Sequence, residues 1–101
     1  MLKIKLFCSA GMSTSMLVNK MRDAAKNRGL EVEISAHSET QMISEAEGID
    51  VALLGPQIAY KISEAKKIFD PLNIPVEVIP MQDYGMMNGE KVLDFAINLK
   101  K

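Results

Sequence analysis

Eight consecutive residues, Cys8-Ser9-Ala10-Gly11-Met12-Ser13-Thr14-Ser15, bring together a nucleophile, a glycine and four hydroxyls. They follow the apolar run Leu2–Phe7 and precede a helical pattern that opens near Met16. A loop leaving a buried strand for a helix gathers unpaired backbone N–H groups, with the positive end of the helix dipole behind them. Such a point binds anions. Gly11 has no Cβ and lets the backbone come close to a ligand, while Ser9, Ser13, Thr14 and Ser15 add hydroxyls to the amides of Ala10 and Met12. Cys8 is the one cysteine of the chain and stands at the mouth of this cradle. A helix N-terminus favours the thiolate, the nucleophilic form, so the thiol is expected to ionise below its ordinary range. The chemistry predicted is uptake of a phosphoryl group on Cys8 while the loop holds its oxygens.

Each part also has a plainer use. A free cysteine is commonly a small buried hydrophobe, and a serine or threonine ahead of a helix is an ordinary cap. Their coincidence with a glycine at a strand exit is what carries the reading. His37, the only histidine, is expected to follow the second strand and to be solvated. Met12, Met86 and Met87 flank the loop and serve equally well as docking surface or as core.

The elements that position the loop follow from periodicity. Leu2–Phe7 reads as a central strand despite Lys3 and Lys5. Leu17, Met21, Ala24 and Ala25 share one helical face, and Gly29 ends that helix. Leu30, Val32, Ile34 and Ala36 alternate with polar residues, as in an edge strand. Residues 38–45 read as a weaker helix with Met42 and Ile43 inward. The run 49–54 suits a strand buried on both faces. A helix over 57–69 buries Ile58, Ile62, Ala65 and Phe69, and Asp70-Pro71 breaks it. A short strand at 76–79 precedes a turn that Asp83 is expected to cap, and a last helix runs from Gly89 to Leu99.

This βαβαβαβα order predicts an α/β fold: one domain over residues 1–101, with a four-stranded parallel sheet in the order 2-1-3-4 and helices on both faces. Ligands of such sheets bind beyond the carboxyl ends of the strands, at the switch point between strands 1 and 3. Cys8, Gly55-Pro56-Gln57 and Gln82-Asp83-Tyr84-Gly85 all fall on that edge.

Composition narrows the function. Twelve Lys+Arg against thirteen Asp+Glu leave a net charge of −1, so no basic field attracts nucleic acid. No apolar run approaches membrane-spanning length, and Met1-Leu2-Lys3 leads into a strand with no signal-peptide pattern. A single cysteine fits a reducing, cytoplasmic compartment. Neither a metal nor another cofactor is expected, since one cysteine and one histidine show no ligand spacing.

Leu6-Phe7-Cys8-Ser9-Ala10-Gly11-Met12-Ser13-Thr14-Ser15, Leu53-Leu54-Gly55-Pro56-Gln57-Ile58-Ala59-Tyr60, Tyr84-Gly85 and the stretch from Gly89 to Leu93 resemble the IIB component of the phosphoenolpyruvate-dependent sugar phosphotransferase system. The resemblance is to its lactose/cellobiose (diacetylchitobiose-like) branch and covers nearly the whole chain. It implies a phosphotransferase in which Cys8 accepts a phosphoryl group from a phosphohistidine on a IIA partner. The group then passes to a sugar, a β-disaccharide such as cellobiose, held in the membrane IIC permease. It implies no cofactor, and a monomer is the default state. Gln57 and Tyr60 are expected either to order the Cys8 loop from the strand 3 side or simply to begin a helix, with Gly55, Pro56, Asp83 and Tyr84 nearby.

The implied fold also resembles low-molecular-weight tyrosine phosphatases, which use a Cys-x5-Arg loop. Here Thr14 stands at the arginine position and the nearest arginine in sequence is Arg22. An arginine there clamps phosphoryl oxygens bidentately; a carrier that must load and unload suits neutral donors. A small cysteine phosphatase and a non-catalytic binding domain remain the alternatives. Asp70 is expected at the edge of the sheet away from Cys8.

Overall fold

The structure, a computed structural model, describes residues 1–9 and 11–100, and for residues 11–13 the course of the backbone alone. Strands β1 (Leu2–Cys8), β2 (Val32–Ser38), β3 (Val51–Leu54) and β4 (Val76–Val78) form one parallel sheet. Their order is β2-β1-β3-β4, as the sequence predicts. The helices are α1 (Gly11–Asn27), α2 (Ile62–Phe69), α3 (Met81–Gly85) and α4 (Gly89–Lys100).

Alternation along β1 divides the core. Ile4 and Leu6 face α1 and α4, packing with Leu17, Met21, Val51, Leu53, Val92 and Leu93. Phe7 faces the other way, toward Ala52, Leu54, Ile58, Ala65 and Phe69. Burying each large side chain of this kind contributes about 1.5–3 kcal/mol. All four residues of β3 are buried, the price a parallel strand covered on both faces exacts in sequence.

The end of α1 matches expectation: Gly29 has φ +68, and Leu30 N donates to Ala25 O at 2.9 Å while Gly29 N donates to Lys26 O at 3.1 Å. These are the two bonds of a left-handed helix stop. Arg28 beside it binds Asp94 at 2.6 Å and Glu90 at 2.9 Å on α4.

Four local expectations are corrected. Helix α1 starts at Gly11, not near Met16. Residues 38–45 make only a 3₁₀ turn, Glu39–Gln41, capped by Ser38; Met42 is buried but Ile43 stands out in solvent at 77 % exposure. The helix over 57–69 is broken: a 3₁₀ segment, Pro56–Lys61, bends at Ile58 so that this side chain tucks under β3, and α2 follows. Asp83 caps nothing, because Pro80 occupies the N-cap of α3 and Asp83 lies inside its first turn.

The reason residues 42–48 leave helical geometry is visible at Lys5. Its ammonium donates to the Glu45 carboxylate at 2.9 Å and to the Glu45 carbonyl at 3.2 Å. The segment is thereby strapped over the lysine face of β1. The Lys5 hydrogen bond, helped by its charge and that of His37, holds the Glu45 carboxyl below the usual carboxylate range. A carboxyl whose folded value is depressed stabilises the fold above its unfolded value and loses that contribution as pH falls through the folded one. Glu45→Gln is therefore expected to lower the thermal unfolding midpoint at pH 7, with the difference closing as pH falls below 4.5. A constant difference down to pH 3, followed by circular dichroism, would show that the strap is not electrostatic.

Candidate functional site

Three strand exits converge on one edge. Cys8 ends β1 and pairs in register with Ser38. Gly55 follows β3, its N–H donating to Phe7 O at 2.9 Å, and Ile79 follows β4, its N–H donating to Leu54 O at 2.9 Å. Continuing the alternation of Ile4 and Leu6, Cys8 lies on the α1 face and is 1 % exposed. Helix α1 begins three residues later, and its first turn carries no acidic residue to occupy the positive end of the dipole. Burial disfavours the thiolate, and the helix terminus favours it.

Among the described residues, Gln57 and Tyr84 reach the sulfur from distant parts of the chain. Cys8 Sγ donates to Gln57 Oε1 at 3.6 Å, and it lies 3.8 Å from the Tyr84 hydroxyl. That hydroxyl is in turn 3.1 Å from Thr14 Oγ1. Thr14 is wholly buried and Tyr84 is 6 % exposed. Gly55 supplies the space for this cluster. A Cβ at that position would lie 2.9 Å from Gln57 Oε1 and 3.1 Å from Cys8 Sγ. Its backbone, at φ −63, is ordinary, so room rather than conformational freedom explains the glycine.

The predicted loop residues separate accordingly. Ser9 and Ser15 are exposed and Thr14 is turned into the core. Ala10 lies outside the described residues, as do the side chains of Gly11, Met12 and Ser13. Pro56 opens the 3₁₀ segment after Gly55. Gln57 reaches the Cys8 sulfur from the β3 side, whereas Tyr60, at 76 % exposure, points away into solvent. Met86 is exposed at 70 %, and Met87 packs against the core at φ 54.

His37 lies within β2 rather than after it. Its Nε2 is 2.9 Å from Ser35 Oγ, its Nδ1 is 3.6 Å from Glu45, and its ring packs on Phe7. These partners hold it on the Lys5 face of the sheet. The cleft of about 320 Å³ there, walled by Lys3, Lys5, Glu33, His37 and Glu45, does not include Cys8.

The phosphatase comparison is also resolved in space. The Arg22 guanidinium donates from Nε and Nη2 to the carbonyl of Ile34 in β2, and an arginine at position 14 would bury its charge beside Tyr84. Asp70 begins a 3₁₀ turn that leads into β4, at the amino edge of the sheet. The Tyr84 contact is what periodicity could not find, since 76 residues separate it from Cys8. Among the described residues no helix is long and apolar enough to cross a membrane.

Known proteins agree with this architecture. The family described as PTS system, lactose/cellobiose-specific IIB subunit, matches residues 3–95. The cellobiose-specific EIIB component of Lactococcus lactis subsp. lactis (strain IL1403) is 48 % identical over 95 % of this chain and 94 % of its own length. The galactose-specific EIIB component of Lactococcus lactis subsp. cremoris (strain MG1363) is also 48 % identical, with the same coverage. The solution structure of a cellobiose-specific phosphotransferase IIB component from Borrelia burgdorferi superposes with a TM-score of 0.80 at 44 % identity, over 97 % of this chain and 90 % of that one. A thiol at the end of β1, a helix N-terminus just after it and this degree of likeness lead to one assignment: the chain belongs to the lactose/cellobiose-specific IIB family of the sugar phosphotransferase system.

Proposed function

We propose that this chain, acting as one domain over residues 1–101, carries a phosphoryl group on Cys8 between a IIA phosphohistidine and a sugar in a IIC permease. The observation that supports it best is the buried Cys8 sulfur in front of the α1 N-terminus, with uncharged partners on Gln57 and Tyr84. Phosphoryl transfer asks a protein mainly for positioning and for dispersing charge. The first turn of α1, which opens at Gly11, has N–H groups without intrahelical partners for the phosphoryl oxygens.

In the loading step the Cys8 thiolate, its proton already released to water, forms an S–P bond as the N–P bond of the phosphohistidine breaks. The electron pair returns to the imidazole, which leaves neutral because its other ring nitrogen keeps a proton. In the unloading step a sugar hydroxyl oxygen forms an O–P bond, the hydroxyl proton goes to water, and the sulfur leaves as thiolate. The cargo proposed is a β-disaccharide such as cellobiose, and the protein works as a monomer on the cytoplasmic side. A fixed guanidinium would hold the loaded state tightly and assist attack by water; neutral donors favour a carrier over a phosphatase.

The test supplies phosphoenolpyruvate, enzyme I, the histidine phosphocarrier HPr and the cognate IIA, then reads intact mass. One phosphoryl group on Cys8 is expected, discharged on adding cellobiose to membranes that hold the cognate permease. Discharge by galactose alone would reassign the sugar. Steady hydrolysis of p-nitrophenyl phosphate would favour a phosphatase, and no uptake from any donor would favour a binding domain.

A further inference from the structure

The pair Thr14–Tyr84 has no place in a simple backbone cradle. A wholly buried threonine hydroxyl lies 3.1 Å from a buried phenol, which lies 3.8 Å from the Cys8 sulfur. The two hydroxyls come from α1 and α3. We propose that Tyr84 is a catalytic hydrogen-bond donor to the Cys8 sulfur, and that Thr14 is the positioning residue that orients its O–H. This rests on Cys8 being the reacting atom.

Donor and acceptor roles follow from the thiolate. A thiolate only accepts, so the Tyr84 O–H must donate to it. The phenol oxygen is then left to accept from the Thr14 O–H, and the two bonds strengthen each other. A bond to an ionised partner is stronger than one to a neutral partner, so the chain of hydroxyls favours thiolate over thiol. It therefore favours the attacking form before transfer and the leaving form after it. Threonine at position 14 has this role where a Cys-x5-Arg loop would place a charge.

Several charged groups on the surrounding elements have partners of their own. Asp83 is the only charge on α3. Glu39 and Lys61, on the segments after β2 and β3, pair with each other at 3.0 Å. Glu90 and Asp94 on α4 hold Arg28 of the α1 terminus. The hydrogen bonds of the Tyr84 hydroxyl are to Thr14 and Cys8.

The experiment is the pH profile of iodoacetamide alkylation, which needs no phosphoryl donor. Tyr84→Phe should move the profile to higher pH, making alkylation about tenfold slower at a given pH on its rising limb. The limiting rate at high pH should not fall, because a thiolate without that donor is at least as nucleophilic. Thr14→Val should act in the same direction, Thr14→Ser should restore the wild-type profile, and Thr14→Val should add little once Tyr84 is Phe. Tyrosine occurs only at positions 60 and 84. Labelling the Tyr60→Phe protein with 3-fluorotyrosine therefore places one more acidic phenol at 84. This better donor should move the profile to lower pH, and it keeps the inference testable if Tyr84→Phe does not fold. Superimposable profiles for wild type and Tyr84→Phe, or no response to fluorination, would overturn the inference while leaving phosphoryl uptake intact. A shifted profile in a protein that never takes up a phosphoryl group would overturn the proposed function instead.

Discussion

Cys8→Ser is expected to abolish phosphoryl uptake: under conditions that saturate the wild type, its intact mass should not change. The substitution keeps the size of the side chain and its place at the end of β1, so the loss is chemical. A serine hydroxyl stays protonated at neutral pH and needs a general base to attack phosphorus. Among the described residues, Gln57 brings an amide oxygen and Tyr84 a phenol to position 8, and neither kind of group serves as the general base that a serine needs. Thermal unfolding close to that of wild type would show that the fold is retained. Uptake by Cys8→Ser at the wild-type rate would refute the assignment of the thiol. So would a stable label on His37, the only histidine.

The largest effect on stability is expected at Gly89, far from the thiol. Gly89 opens α4 where it crosses α1, and a Cβ there would lie 2.4 Å from the backbone carbon of Lys20 and 2.6 Å from its carbonyl oxygen. Both are main-chain atoms inside a helix, so no rotamer change relieves the contact and the helices must separate. That separation would loosen Val92, Leu93 and Ala96 from Leu17 and Met21 in the core. Gly89→Ala should cost about 3 kcal/mol, the upper part of the range for overpacking, against a total stability of roughly 5–15 kcal/mol. The unfolding midpoint should fall by roughly 12–24 °C. Gly85→Ala in α3 is the control, since a Cβ there meets nothing within 4 Å and should be neutral or slightly stabilising. Equal midpoints for Gly89→Ala and wild type in a differential scan would mean that the α1–α4 contact is not close-packed.

What the sequence by itself determined is the part written in local pattern. Alternation in β1 and β2, the unbroken apolar run of β3 and the glycine after α1 are consequences of period and backbone sterics, and each is read within a dozen residues. Strand order follows from them, because right-handed crossovers leave few ways to bury two apolar strands in the middle. The thiol at a strand exit was legible for the same reason. Elsewhere, tertiary contacts overrode local preference. Residues 38–45 carry a passable helical pattern, but the bond from Lys5, 40 residues away, holds Glu45 in place and leaves Ile43 in solvent. Thr14 looked like one of four equivalent hydroxyls of a loop; the early start of α1 rotates it into the core. Its partner Tyr84, the amide of Gln57 and the missing Cβ of Gly55 meet at the sulfur only because three parallel strands end side by side. Periodicity places a residue on a face of its own element. Which residues of other elements face it depends on register and packing, and those exist only in the folded chain.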